Sequence, residues 1–176
     1  MNRGFRIWIT WLLFAAVVTF SAKASLATMV YLPEVQGTSG ESIDLPIMMD
    51  QVDNLAGVKL VMEYDAKILS FQKGARTSHT DSFMHVINDK KPGRLIIVMA
   101  GAKGIKGKAF PLLTLTFKVK EGLKKGITTQ PVLTEIELMT DKLKEIKCDL
   151  EANTVRISPQ PQNAVPDQEA SQGKQP

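Results

Sequence analysis

Cysteine, tryptophan and long apolar runs are scarce in this chain. It has one cysteine, Cys148. No disulfide can form within it, so any folded domain must be held by its own core. A lone thiol near a terminal strand reads as a small, buried apolar side chain. Both tryptophans, Trp8 and Trp11, lie in the leading segment. After it the aromatics are Tyr31, Tyr64, Phe71, Phe83, Phe110 and Phe117. That scarcity argues against a flat aromatic platform for crystalline polysaccharide, though not against a small polar sugar site.

The one long apolar run, Ile7 to Phe20, has about fourteen residues, short of the ~20 that a membrane helix needs. Arg3 and Arg6 precede it, and Ala22-Lys23-Ala24 follows with small residues at the cleavage-site positions. Residues 1–24 therefore read as a secretory signal cut before Ser25, with an uncleaved N-terminal anchor as the alternative. The rest of the protein is expected outside the cytoplasm, secreted or periplasmic, with no membrane span after cleavage. Losing Arg3, Arg6 and Lys23 lowers the 22 basic residues to 19 against 18 acidic ones, so the net charge falls from +4 to +1. No basic cluster is interleaved with aromatics, which excludes a nucleic-acid target.

What is present is a period of two. From Gly57 to Tyr64, Val58, Leu60, Met62 and Tyr64 share one phase and Gly57, Lys59, Val61 and Glu63 the other. Successive side chains leave a strand on opposite faces, so this is a half-buried strand with the first set inward. Leu69 and Phe71 return apolar side chains to the core. Upstream, Met29–Val35 reads as a first strand. Ser42–Met49 reads as a second, with Pro46 marking an edge because proline donates nothing to the ladder. Residues 50–54 are expected to turn.

Downstream, 73–81 is expected as a loop. Residues 82–88 form a strand with Phe83, His85 and Ile87 in one phase, and 89–93 a hairpin turn. Arg94–Ala100 is apolar on both phases and so is expected to be central and well covered. Three glycines and three lysines in 101–108 suggest a mobile loop. It lacks the Gly-Lys-Ser/Thr ending of a phosphate cradle. Phe110–Lys120 points Leu113, Leu115, Phe117 and Val119 inward. Residues 131–139 point Val132, Ile136 and Leu138 inward against Glu135 and Glu137. Residues 146–150 and 154–157 are short closing strands. Turn signals recur at roughly eight to twelve residues, the spacing of an all-β sandwich. The domain spans 28–157, and 158–176, rich in proline and glutamine, reads as a disordered tail.

Catalytic chemistry finds little support. His79 and His85 lie near Asp81 and Ser82, but spacing alone assembles no nucleophile–base pair. Glu135 and Glu137 share a strand face about 7 Å apart, which an ordinary solvated face explains as well as a glycosidase pair does. His79, Asp81 and His85 are weak as metal ligands. The reading is a protein with no catalytic residue, no metal site and no cofactor.

The order Gly37…Gly40-Glu-Ser-Ile-Asp-Leu-Pro-Ile, then Leu55-Ala-Gly-Val-Lys-Leu-Val-Met-Glu-Tyr-Asp-Ala-Lys-Ile-Leu, then Leu112-Leu-Thr-Leu-Thr-Phe-Lys-Val-Lys, resembles a cohesin module from Met29 to about Ile157. The resemblance implies a non-catalytic, nine-stranded, two-sheet sandwich of jelly-roll topology. It also implies a dockerin-type protein partner, which supplies the calcium of such pairs and often belongs to a polysaccharide-degrading complex. The implied partner-binding face holds Gly57, Lys59, Val61 and Glu63, with Leu143 and Glu145 flanking it and Asn88 near a further contact region. Cellulosomal cohesins carry Asn and Asp where this chain has Gly57 and Lys59. An acidic acceptor is thus replaced by a cation, which points to a retargeted surface or to lost dockerin binding. Two alternatives stand beside docking: direct binding of polysaccharide, and a spacer role in an envelope or secretion assembly.

Overall fold

The computed structural model describes residues 27–123, 126–151 and 154–158. The signal expected at 1–24 lies outside them, as does the tail beyond Ser158. Eleven strand segments and no helix occur among the described residues. They are β1 (Thr28–Tyr31), β2 (Val35–Thr38), β3 (Ser42–Glu63), β4 (Leu69–Arg76), β5 (Met84–Asn88), β6 (Arg94–Val119), β7 (Ile127–Thr129), β8 (Val132–Thr140), β9 (Glu145–Ile146), β10 (Cys148–Glu151) and β11 (Val155–Ser158). The expected two-sheet, all-β sandwich is what the chain forms.

Two long strands organise it. β3 and β6 pair antiparallel from Ser42↔Lys118 to Glu63↔Arg94. The register shifts at Ile47/Met48, Val52/Leu55 and Leu55/Gly57. Such bulges bend a strand and increase its twist. The segment 50–54, expected as a turn, is therefore a bend inside one strand, with Asn54 at φ 68°. The segment 101–108, expected as a mobile loop, is the matching stretch of β6. Its glycines serve close approach. A β-carbon on Gly101 would collide with the Phe83 ring, one on Gly104 with Asn54, and one on Gly107 with Phe110. The expected loop at 73–81 likewise begins as strand, since β4 runs to Arg76.

On one side of the bend, β4 pairs β6 while β1 pairs β3 at Met48 and Met49, with β10 parallel to β1. Pro46 faces Thr114 of β6, and the pairing with β1 stops short of it, so its missing N–H costs no ladder bond there. On the other side, β5 pairs β6, β8 pairs β3, and β9 pairs β8. A smaller sheet runs β2–β11–β7. Ile43, Leu45, Ile47 and Met49 from before the bend join Val58, Leu60 and Met62 from after it in one buried core. Tyr64 and Phe71 set their rings edge-on to Phe117 at 5.0 and 5.7 Å. That geometry adds to simple burial.

In β8 the inward phase slips. Leu60 faces Ile136, but Met62 faces Leu133. The bulge at Thr134 puts Leu133 inside and leaves Val132, expected inside, 38% exposed. Cys148 is half-buried, and burial pushes its thiol up, with Asp149 and Glu145 adding to the shift.

Candidate functional site

The outward phase of β3 between Gly57 and Glu63 is the floor of an open face. Register fixes its rows. Gly57 lies between Met139 of β8 and Ala100 of β6, with Met84 of β5 beyond. Lys59 lies between Glu137 and Val98, with Val86 beyond. Val61 lies between Glu135 and Ile96, with Asn88 beyond. Glu63 lies between Val132 and Arg94. The β8 side is acidic and the β5 side apolar.

An ion-pair chain crosses the acidic side. Lys59 Nζ donates to Glu137 Oε1 at 2.6 Å and sits 4.0 Å from Glu135. Arg94 reaches the same Glu135 at 3.6 Å from the opposite end. The Glu137 carboxylate, with Glu135 behind it, holds the Lys59 ammonium above the usual lysine range. Lys59 is therefore a neutralised cation. The acid that the resemblance seeks on β3 is found one strand over, on β8.

This chain of pairs overturns one expected contact residue. Val61 is in the outward phase, as its alternation says, yet it is 1% exposed. It sits opposite Glu135, and the long stems of Lys59 and Arg94 converge on that carboxylate from either side of it. Such stems cover apolar surface while their charged heads stay wet. Val61 supports the face and offers no surface of its own.

The other expected residues fall at definite places. Gly57, Lys59 and Leu143 line one depression of about 370 Å³, together with Val98, Ala100 and Met139. Leu143 is 81% exposed, at φ 57° in the turn after β8. Glu145 pairs Met139 from β9 and is exposed. Glu63 is exposed at the far end. Asn88 is exposed, but its Oδ1 accepts from the Lys90 backbone N–H at 3.1 Å, so it also shapes the hairpin turn.

Sequence reasoning missed the apolar half. Met84 is 77% exposed, Val86 68% and Val98 46%. The signal for the first two was present, because placing Phe83, His85 and Ile87 inward sends Met84 and Val86 outward. Val98 was hidden by an apolar residue in every position of Arg94–Ala100. The histidines do not meet: His79 stacks on Phe110 at 4.8 Å between centroids, while His85, on β5, pairs with Met99 of β6. No cluster of three or more potential metal ligands occurs among the described residues.

The cohesin-domain family model matches residues 28–157. The chain belongs to the cohesin family. Solved cohesins share its fold. It is similar to a non-cellulosomal cohesin from the hyperthermophilic archaeon Archaeoglobus fulgidus, at 18% identity and TM-score 0.66, over 74% of this chain and 91% of that one. It is equally similar, at 19% identity and TM-score 0.66, to a type I cohesin–dockerin complex from Clostridium thermocellum, over 76% and 94%. A third is the sixth cohesin of scaffoldin B from Acetivibrio cellulolyticus, solved with a dockerin, at 15% identity and TM-score 0.66 over 76% and 99%. No curated protein matches the sequence. In this cohesin the open face is built on the strand pair that carries the family resemblance.

Proposed function

We propose that this cohesin is a non-catalytic docking module that holds a dockerin-type protein partner on the outer face of β8–β3–β6–β5, outside the cytoplasm. One observation carries the reading. Of the six large apolar side chains that stand exposed among the described residues, Met84, Val86, Val98, Val132 and Leu143 belong to this face or its rim; the sixth is Leu150. Contiguous apolar surface rimmed by polar groups marks an interaction site. None of the six is aromatic, which favours a protein partner over a sugar platform. Membership in a polysaccharide-degrading complex belongs to the same proposal, supported by one similar solved cohesin being a scaffoldin module in complex with a Cel5 dockerin.

The partner is expected to meet Gly57, Lys59, Glu63, Asn88, Leu143 and Glu145 along with the apolar patch, and to match a rim whose cations are already paired. The test is retention of calcium-loaded dockerin modules on the immobilised chain, followed by calorimetry. Binding should appear with calcium, vanish with EDTA, and be lost in Val98→Asp and in a double reversal of Lys59 and Glu63. A dockerin that binds Val98→Asp as well as the parent would displace the site from this face. If no dockerin is retained while migration slows in a polysaccharide-containing native gel, the glycan alternative replaces docking.

A further inference from the structure

β5 is an edge strand: it pairs β6 on one side, and no described strand pairs its other side. An open edge presents a row of unpaired N–H and C=O groups, and proteins usually blunt it with charge, proline or a bulge. The other edges of the larger sheet do so. β4 carries Lys73 and Arg76, β9, which pairs one end of β8, carries Glu145, β8 beyond the reach of β9 carries Glu135 and Glu137, and β10 carries Asp149 and Glu151. β5, with the sequence Met-His-Val-Ile-Asn, has no charged residue, no proline and no bulge.

We infer that β5 pairs antiparallel with β5 of a second copy of this chain, about a twofold axis at Val86. Three features fit that occupant. Val86, 68% exposed, would meet its own copy across the axis, an apolar cross-strand pair. His85 and Ile87 are only half-buried, and this register places each opposite the other and completes its cover. The flanks offer one complementary pair in this register: exposed Asp81, whose backbone carbonyl accepts from Arg76, falls opposite exposed Lys91, while Asp89 falls opposite Phe83, and neither Asp81 nor Lys91 is in an ion pair among the described residues. Antiparallel pairing sets Asp81 of each copy against Lys91 of the other, so the pair occurs twice in the dimer. A twofold contact of this kind is self-complementary and closes at a dimer. It leaves the outer face open and joins two such faces into one continuous sheet.

The contact shares Val86 with the proposed docking face, so it is tested with no partner present, where a failure of docking cannot affect the result. Sedimentation equilibrium of the full chain should show a mass rising with concentration toward twice the monomer. Val86→Lys, which puts two like charges on the axis, should weaken association by at least about tenfold. Its far-ultraviolet circular dichroism should not change, since the side chain is exposed. Asp81→Lys should weaken association several-fold, and adding Lys91→Asp should restore it. A monomer at every concentration would overturn the proposal. So would a dimer indifferent to Val86→Lys, or a charge swap that fails to restore association.

Discussion

Both faces of one strand pair, β3 with β6, carry apolar side chains after the bend, and they are used differently. On the inner face Val58, Leu60 and Met62 and their neighbours Leu95, Ile97 and Met99 are at most 3% exposed. On the outer face Val98 keeps 46% of its surface, beside Met84 and Val86. The difference lies in what faces each side. Inside, β4 comes so close that a β-carbon on Gly74 would collide with Ile87. Outside, the cover is the side chains of the sheet itself. The Lys59–Glu135–Arg94 pairs seal Val61, and nothing among the described residues seals the β5 half. Apolar character thus means cohesion on one side and availability on the other.

Truncation on the inner side should have the largest effect. Leu60→Ala removes a fully buried side chain and should cost about 2–5 kcal/mol, through lost transfer energy and the cavity left behind. Urea unfolding should show a lower midpoint with an unchanged slope. An outcome near that of an exposed site would mean that the inner face is not the sealed one. Next comes the bend that brings the layers together. Gly101→Ala places a methyl against the Phe83 ring, and overpacking of this kind costs about 1–3 kcal/mol. A neutral result would show that Phe83 can move and that the corner is looser than drawn. On the outer side, Val98→Ala should stay within about 0.5 kcal/mol of the parent, as surface changes do. A loss comparable with that of Leu60→Ala would erase the distinction between the faces.

How much of this was legible depended on whether the two phases of a strand differ. In Gly57–Tyr64 the alternation gave the inner set correctly, because Lys59 and Glu63 oppose Val58, Leu60 and Met62. It also gave the direction of Val61 but not its burial, which depends on Glu135, 74 positions away in sequence, drawing two cationic stems together over it. In Arg94–Ala100 both phases are apolar, and periodicity alone cannot tell a covered face from an open one. The glycine-rich 101–108 was misread for a related reason. Glycine marks turns and close approaches alike, and only the rings of Phe83 and Phe110 and the side chain of Asn54 reveal which is meant. In β8 a bulge at Thr134 shifted the phase by one, and no local residue announces it.

The smallest effect lies on the acidic side, and it tests whether Lys59 is a neutralised cation or a free one. Its pairing with Glu137 raises its pKa above the ordinary lysine value. The linkage follows from that sign. A group whose folded pKa is raised binds its proton more tightly in the native state, so its stabilisation is complete below the unfolded lysine value and is lost as pH rises through the folded one. Between neutral pH and the start of the lysine range, the contribution of this pair should therefore not vary with pH, and any loss should appear only in alkali. Lys59→Met should remove that alkaline component, as should Glu137→Gln, and the double variant should lose no more than either alone. Side-chain nitrogen NMR of Lys59 checks the shift directly: its midpoint should fall in Glu137→Gln, and in the parent it should rise as salt is withdrawn. A Lys59 that titrates as an isolated lysine in the parent would be a free cation on the open face, and the partner's charge would then have to be complementary to it.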